Sequence, residues 1–80
     1  MTTITGFTVV DAVGFPVLAD PFGNNVAFQC VGCGAPILAV VRKDQRGSSV
    51  TKPAICPACG SRFWVEPKEK EHRLIVHRVL

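Results

Sequence analysis

Cys30-Val31-Gly32-Cys33-Gly34 and Cys56-Pro57-Ala58-Cys59-Gly60 are two copies of one short unit, and together they hold all four cysteines of the chain. With two residues between the cysteines, a tight turn lets both sulfurs reach one ion while backbone N–H groups point back at the thiolates. The glycine after each second cysteine suits an exit conformation in which a Cβ would clash. The spacing predicts a single tetrahedral site with Cys30, Cys33, Cys56 and Cys59 as ligands. Four thiolates fill such a site and close it to substrate, so the metal is expected to be structural. Zinc is the leading ion, and iron is the alternative.

This feature also explains how so short a chain folds. At 80 residues the chain is one domain, below the size at which a hydrophobic core alone comfortably suffices. A structural zinc contributes on the order of 10–16 kcal/mol of apparent binding free energy in small modules, more than such a core leaves over. Two disulfides are the competing use of four cysteines. The opening Met1 to Phe7, however, has neither a positive start nor an apolar h-region, so a reducing, cytoplasmic setting is expected. The longest apolar run, Ala35 to Val41, contains Pro36 and is far too short to span a bilayer, so no membrane association is expected.

Along the chain the pattern is that of strands. Thr2 to Asp11 is rich in Thr, Val and Ile, and Pro16 to Ala19 is a second extended piece. Asp20 to Asn25 concentrates turn formers. Val26, Phe28 and Cys30 alternate with Ala27, Gln29 and Val31, as in a strand that delivers a cysteine to a metal. Ile37 to Arg42 is β-branched and aliphatic, Lys43 to Ser49 is a polar loop, and Val50 to Ile55 returns to the second cysteine pair, with Pro53 at an edge or irregularity. Phe63 to Val65 is a strand closed by Glu66-Pro67. Lys68 to His72 is a charged connector with room for one helical turn, and Arg73 to Leu80 is a final strand. No helical period is convincing. The expected fold is all-β: a small antiparallel metal-binding sheet over residues 26–66, an added N-terminal hairpin within residues 1–25, and a C-terminal strand within residues 68–80.

Aligning the cysteines also aligns their surroundings. Phe28 to Ala39 sets against Ala54 to Val65, each half reading as strand, cysteine turn and strand. With twenty-two residues between the pairs and a second turn of the form C-P-x-C-G, residues 26–66 resemble a zinc ribbon. The resemblance implies paired zinc knuckles gripped by two hairpins or a three-stranded sheet. It implies no particular function, because ribbons serve in many settings. A rubredoxin-like iron site uses similar knuckles, and an iron–sulfur electron-transfer subunit is a further reading.

Charge is distributed unevenly. Residues 1–41 carry Asp11 and Asp20 and no base, whereas residues 42–80 hold nine bases against four acids. Arg42, Lys43 and Arg46 in the polar loop, with Arg62 after the second turn, are candidate nucleic-acid contacts, since neutralised phosphates give salt-dependent affinity. The competing account is a solvated hairpin tip, which Asp44 among the bases favours. Phe63 and Trp64 read as core packing or as a stacking platform, on opposite faces of one strand. His72 and His77 are assigned no role. There is no spare cysteine nucleophile, no acid pair in a plausible pocket and no phosphate-binding glycine loop, so neither an enzyme nor a small-molecule substrate is expected. An apolar content of 48% in so short a chain points to docking. The expected role is a non-catalytic adaptor or accessory subunit, bound to a larger protein or to itself through its apolar terminal strands, with nucleic acid as the alternative partner.

Overall fold

In the computed structural model, which describes residues 3–79, the extended stretches form seven strands: β1 (Thr8–Asp11), β2 (Ala19–Phe22), β3 (Asn25–Gln29), β4 (Pro36–Val40), β5 (Ala54–Ile55), β6 (Arg62–Lys68) and β7 (Arg73–Val79). The charged connector forms one 3-10 turn, Glu69–Glu71. Two small sheets result, one in the order β1-β7-β6-β5 and one in the order β2-β3-β4. The all-β expectation therefore holds. Among the described residues no helix is long and apolar enough to cross a membrane.

Several boundaries differ from expectation, and the direction in which a proline's nitrogen points explains two of them. The predicted turn Asp20 to Asn25 is mostly strand: β2 runs through Asp20-Pro21-Phe22, and only Gly23 and Asn24 turn. The Gln29 N–H donates to the Leu18 carbonyl, so hydrogen-bonded pairs fall at Leu18, Asp20 and Phe22. Pro21 occupies the intervening position, where its nitrogen faces away from β3 and no ladder bond is lost. Likewise β6 continues through Pro67 to Lys68. Val65 directs its N–H away from β7 to the Gly47 carbonyl, and Pro67 shares that orientation. The strand expected over Val50 to Ile55 contracts to β5, preceded by turns.

The single antiparallel metal-binding sheet expected over residues 26–66 is instead split, with Cys30 and Cys33 between β3 and β4 of one sheet and Cys56 and Cys59 between β5 and β6 of the other, because each cysteine pair turns its own hairpin. The four-stranded sheet is not purely antiparallel. β1 lies parallel to β7, Val9 opposite Leu74, while β7 is antiparallel to β6 along its whole length. The N-terminal hairpin exists in reduced form: the chain turns between Asp11 and Phe15, Val10 bridges Pro16, and Val17 donates to Val9. Residues 3–7 of the strand expected over Thr2 to Asp11 are not strand, and Thr2 and Leu80 lie outside the described residues.

The two sheets share one core and are joined along both edges. On one side the Val17 N–H to Val9 carbonyl bond links the approach to β2 with β1. On the other, Val40 of β4 donates to Arg46 and Val65 of β6 donates to Gly47, so the loop backbone bridges the sheets. Val26 and Phe28 of β3 and Ile37 and Ala39 of β4 face Phe63 and Val65 of β6 and Leu74 and Val76 of β7. Phe28 meets Phe63 edge to face at 5.9 Å, a favoured aromatic geometry. Ile4 is fully buried and its N–H donates to Gly23, which closes the end of β3 remote from Cys30.

Candidate metal centre

Strand alternation delivers the first cysteine of each pair. Val26, Phe28 and Cys30 point inward in turn, as do Ala54 and Cys56, so Cys30 and Cys56 are buried at one end of the core. The turns then bring Cys33 and Cys59 back from the exposed side. The two turns are near copies in their backbone. Gly34 donates to Cys30 at 2.8 Å and Cys30 to Ala35 at 2.8 Å, while Gly60 donates to Cys56 at 2.9 Å and Cys56 to Ser61 at 2.8 Å. Gly34 and Gly60 have φ of 81° and 77°, the left-handed exit expected of them.

All four sulfurs lie within 4.8 Å of one another. Two close pairs join opposite turns: Cys33 to Cys56 at 3.5 Å and Cys30 to Cys59 at 3.6 Å. A disulfide requires about 2.05 Å, so these are not bonded pairs. Ligands about 2.3 Å from an ion at the corners of a tetrahedron are about 3.8 Å apart, which the cluster approaches. The four cysteines could therefore hold one metal ion. Zinc and iron both fit thiolates at this separation.

Polar groups around the sulfurs favour thiolate. The Cys59 thiol is drawn down to about 6, first by the Ser61 hydroxyl and then by the Ser61 N–H. Cys56 is lowered by the Cys59 N–H foremost and then by the Ala58 N–H. The Ala35 N–H favours the Cys33 thiolate, but sharing a proton with the Cys56 sulfur, together with desolvation and the Cys59 and Cys30 sulfurs, outweighs it and pushes that thiol up to about 12. A divalent cation that binds here takes the place of the remaining thiol protons, so uptake depends on pH.

The other candidate residues are dispersed. Arg42 and Lys43 are exposed and line a shallow concavity with Asp44, Ser48, Ser49 and Pro67, and Arg46 is exposed on the same loop. Arg62 stands at the other end of β6, about 17 Å along the strand from Pro67 at ~3.3 Å per residue. It does not join the loop cluster. Phe63 is core, and Trp64 is half-buried on the outer face, stacked on His77 with ring centroids 4.5 Å apart. His77 Nε2 lies 2.9 Å from Glu66, which also pairs with Lys68 at 3.1 Å. His72 caps the 3-10 turn with φ of 51°, against Phe7.

One part of the site was not anticipated from sequence. Ser61 Oγ lies 3.2 Å from Cys59 Sγ and 3.3 Å from an Arg78 guanidinium nitrogen. The serine was visible in the internal repeat, where it sits opposite Ala35. The arginine had no such signal, because β7 brings it from seventeen residues away. No family model matches the sequence, and no curated protein or solved structure matches it either.

Proposed function

We propose that the chain is a non-catalytic module, held together by a structural zinc ion, that docks on a larger protein through the outer face of β2, β3 and β4. The observation that carries the docking surface is the exposure of Leu18 at 72%, Phe22 at 73% and Leu38 at 47% on that face. Register places them together: Phe22 lies opposite Asn25, Ala27 opposite Leu38, and Asn25 opposite Val40, all directed away from the core. Leu18, Ala27, Gln29 and Pro36 line a shallow groove across the same surface, with Asp20 at its edge. Asp20 is the only charged group among these outward residues, so an apolar partner surface with a base at its margin would fit.

This moves the docking face away from the terminal strands. Leu74 and Val76 of β7 and Val9 of β1 are core, and Ile75 is half-buried beside Val10. Their apolarity is used within the fold. β7 is paired on both sides over Arg73–Val76, and the Val9 carbonyl accepts from Val17 on the other side of β1, so over these segments a partner would meet side chains rather than add a strand.

The test is capture of partners from the native cell by the tagged protein, with and without nuclease, beside a Phe22→Lys/Leu38→Lys variant. Both positions are exposed, so the variant is expected to fold. A protein partner that survives nuclease and is lost with the variant supports the reading. Loss of all partners on nuclease treatment would transfer the role to Arg42, Lys43 and Arg46. Capture unchanged in the variant would remove this face from the account.

A further inference from the structure

We propose that Ser61 and Arg78 form a hydrogen-bonded arm outside the four sulfurs that strengthens metal retention and shields Cys59 from attack; this rests on the metal reading. The two knuckles act as each other's control. Their main-chain bonds match within about 0.1 Å in turn closure, and Ala35 and Ser61 hold the same place in each, two residues past the second cysteine and accepting from the first. They differ in the side chain at that position. Alanine offers nothing further, whereas the Ser61 hydroxyl lies 3.2 Å from Cys59 Sγ. A metal-bound thiolate has no proton to give, so the hydroxyl is the donor.

The hydroxyl does not act alone. Arg78 Nη2 donates to Ser61 Oγ at 3.3 Å, carried there by the pairing of Arg78 with Phe63 across β6 and β7. Among the described residues no ion pair includes Arg78, whereas Lys68 and His77 pair with Glu66 and Arg73 with Glu71. Its charge is directed through a hydroxyl to a sulfur, which polarises the O–H and strengthens the bond to the thiolate. Four thiolates on a divalent ion leave an excess of two negative charges, and outer-shell donors of this kind typically change metal affinity by about 10–100-fold. Cys33 and Cys59 are both exposed, so access does not distinguish them. The donor does, since a sulfur whose electron density is drawn into an extra hydrogen bond is a poorer nucleophile.

The test uses the full chain loaded with Co2+ and with Zn2+. Thiolate-to-cobalt charge-transfer absorption in the wild type first establishes the metal site, and its absence would fail the underlying reading and not the arm alone. Chelator competition then compares wild type with Ser61→Ala, Arg78→Met and the double variant. The expected result is at least about tenfold weaker retention in Ser61→Ala, a smaller loss in Arg78→Met, and no added loss in the double variant, with Arg78→Lys partly restored. Limited alkylation with iodoacetamide, mapped by mass spectrometry, should label Cys33 ahead of Cys59 in the wild type and both alike in Ser61→Ala. Wild-type affinity in Ser61→Ala, additive losses in the double variant, or an unchanged order of labelling would each overturn the proposal.

Discussion

A β-carbon on Gly47 would lie 2.6 Å from the Cβ of Ala39, so the loop backbone and the β4 core residue touch with no space between them. The contact is where the two sheets close. Gly47 donates to Lys52, and its carbonyl accepts from Val65 of β6, while the adjoining Arg46 carbonyl accepts from Val40 of β4. Its φ of 85° lies in the left-handed region as well.

Gly47→Ala should therefore be among the most damaging small substitutions. Left-handed backbone costs a residue with a side chain about 1–2 kcal/mol, and overpacking a tight site about 1–3 kcal/mol. A loss of about 2–5 kcal/mol is expected in urea unfolding of the metal-loaded protein. Adding Ala39→Gly should relieve the packing share and leave the backbone share. An unchanged midpoint in Gly47→Ala would mean that the sheets are not joined there.

The inward and outward faces make a paired prediction. Ile4 is fully buried, and Ile4→Ala should cost about 2–4 kcal/mol by leaving a cavity. Leu38 is 47% exposed, and Leu38→Ala should shift stability by no more than about 0.5 kcal/mol. Equal effects at the two sites would contradict the arrangement of the core.

Glu66 gives a pH signature. Its carboxyl is held below the ordinary carboxylate value, foremost by the hydrogen bond to the His77 ring and next by Lys68. A depressed folded value means that the unfolded chain takes up the proton first as pH falls. The contribution is therefore fully present above the ordinary carboxylate range and is lost as pH drops through the folded value. Glu66→Gln removes it. The stability difference between wild type and Glu66→Gln should shrink as pH falls below the ordinary value of 4.5. A difference that does not shrink would exclude this role.

The clustering of the four cysteines and the strand-rich character were legible in the sequence because both are local. Cysteine spacing states its own chemistry, and the alternation of Val26, Phe28 and Cys30 states which face is buried. The repeat foretold a strand, a turn and a strand in each half, and the two turns match in their main-chain bonds. Long-range pairing was not legible. Nothing in Thr8 to Asp11 announces a parallel partner at Arg73 to Val76, and nothing in Gly47 announces Ala39. The prolines misled for a similar reason: Pro21 and Pro67 mark breaks only if their nitrogens face a partner strand, and that direction depends on register. The apolar β7 invited a partner because its neighbours, β1 on one side and β6 on the other, could not be seen from sequence.

The metal carries the central claim. A structural zinc supplies on the order of 10–16 kcal/mol, comparable to or greater than the whole net stability of a typical small domain, about 5–15 kcal/mol. The most direct measurement is the metal content of the folded chain, by native mass spectrometry after purification under reducing conditions, before and after a strong chelator. The account predicts one zinc per chain, lost on chelation together with the compact charge-state distribution, and no zinc in Cys30→Ser/Cys56→Ser. A chain that stays compact with no metal bound and all four cysteines reduced would contradict it.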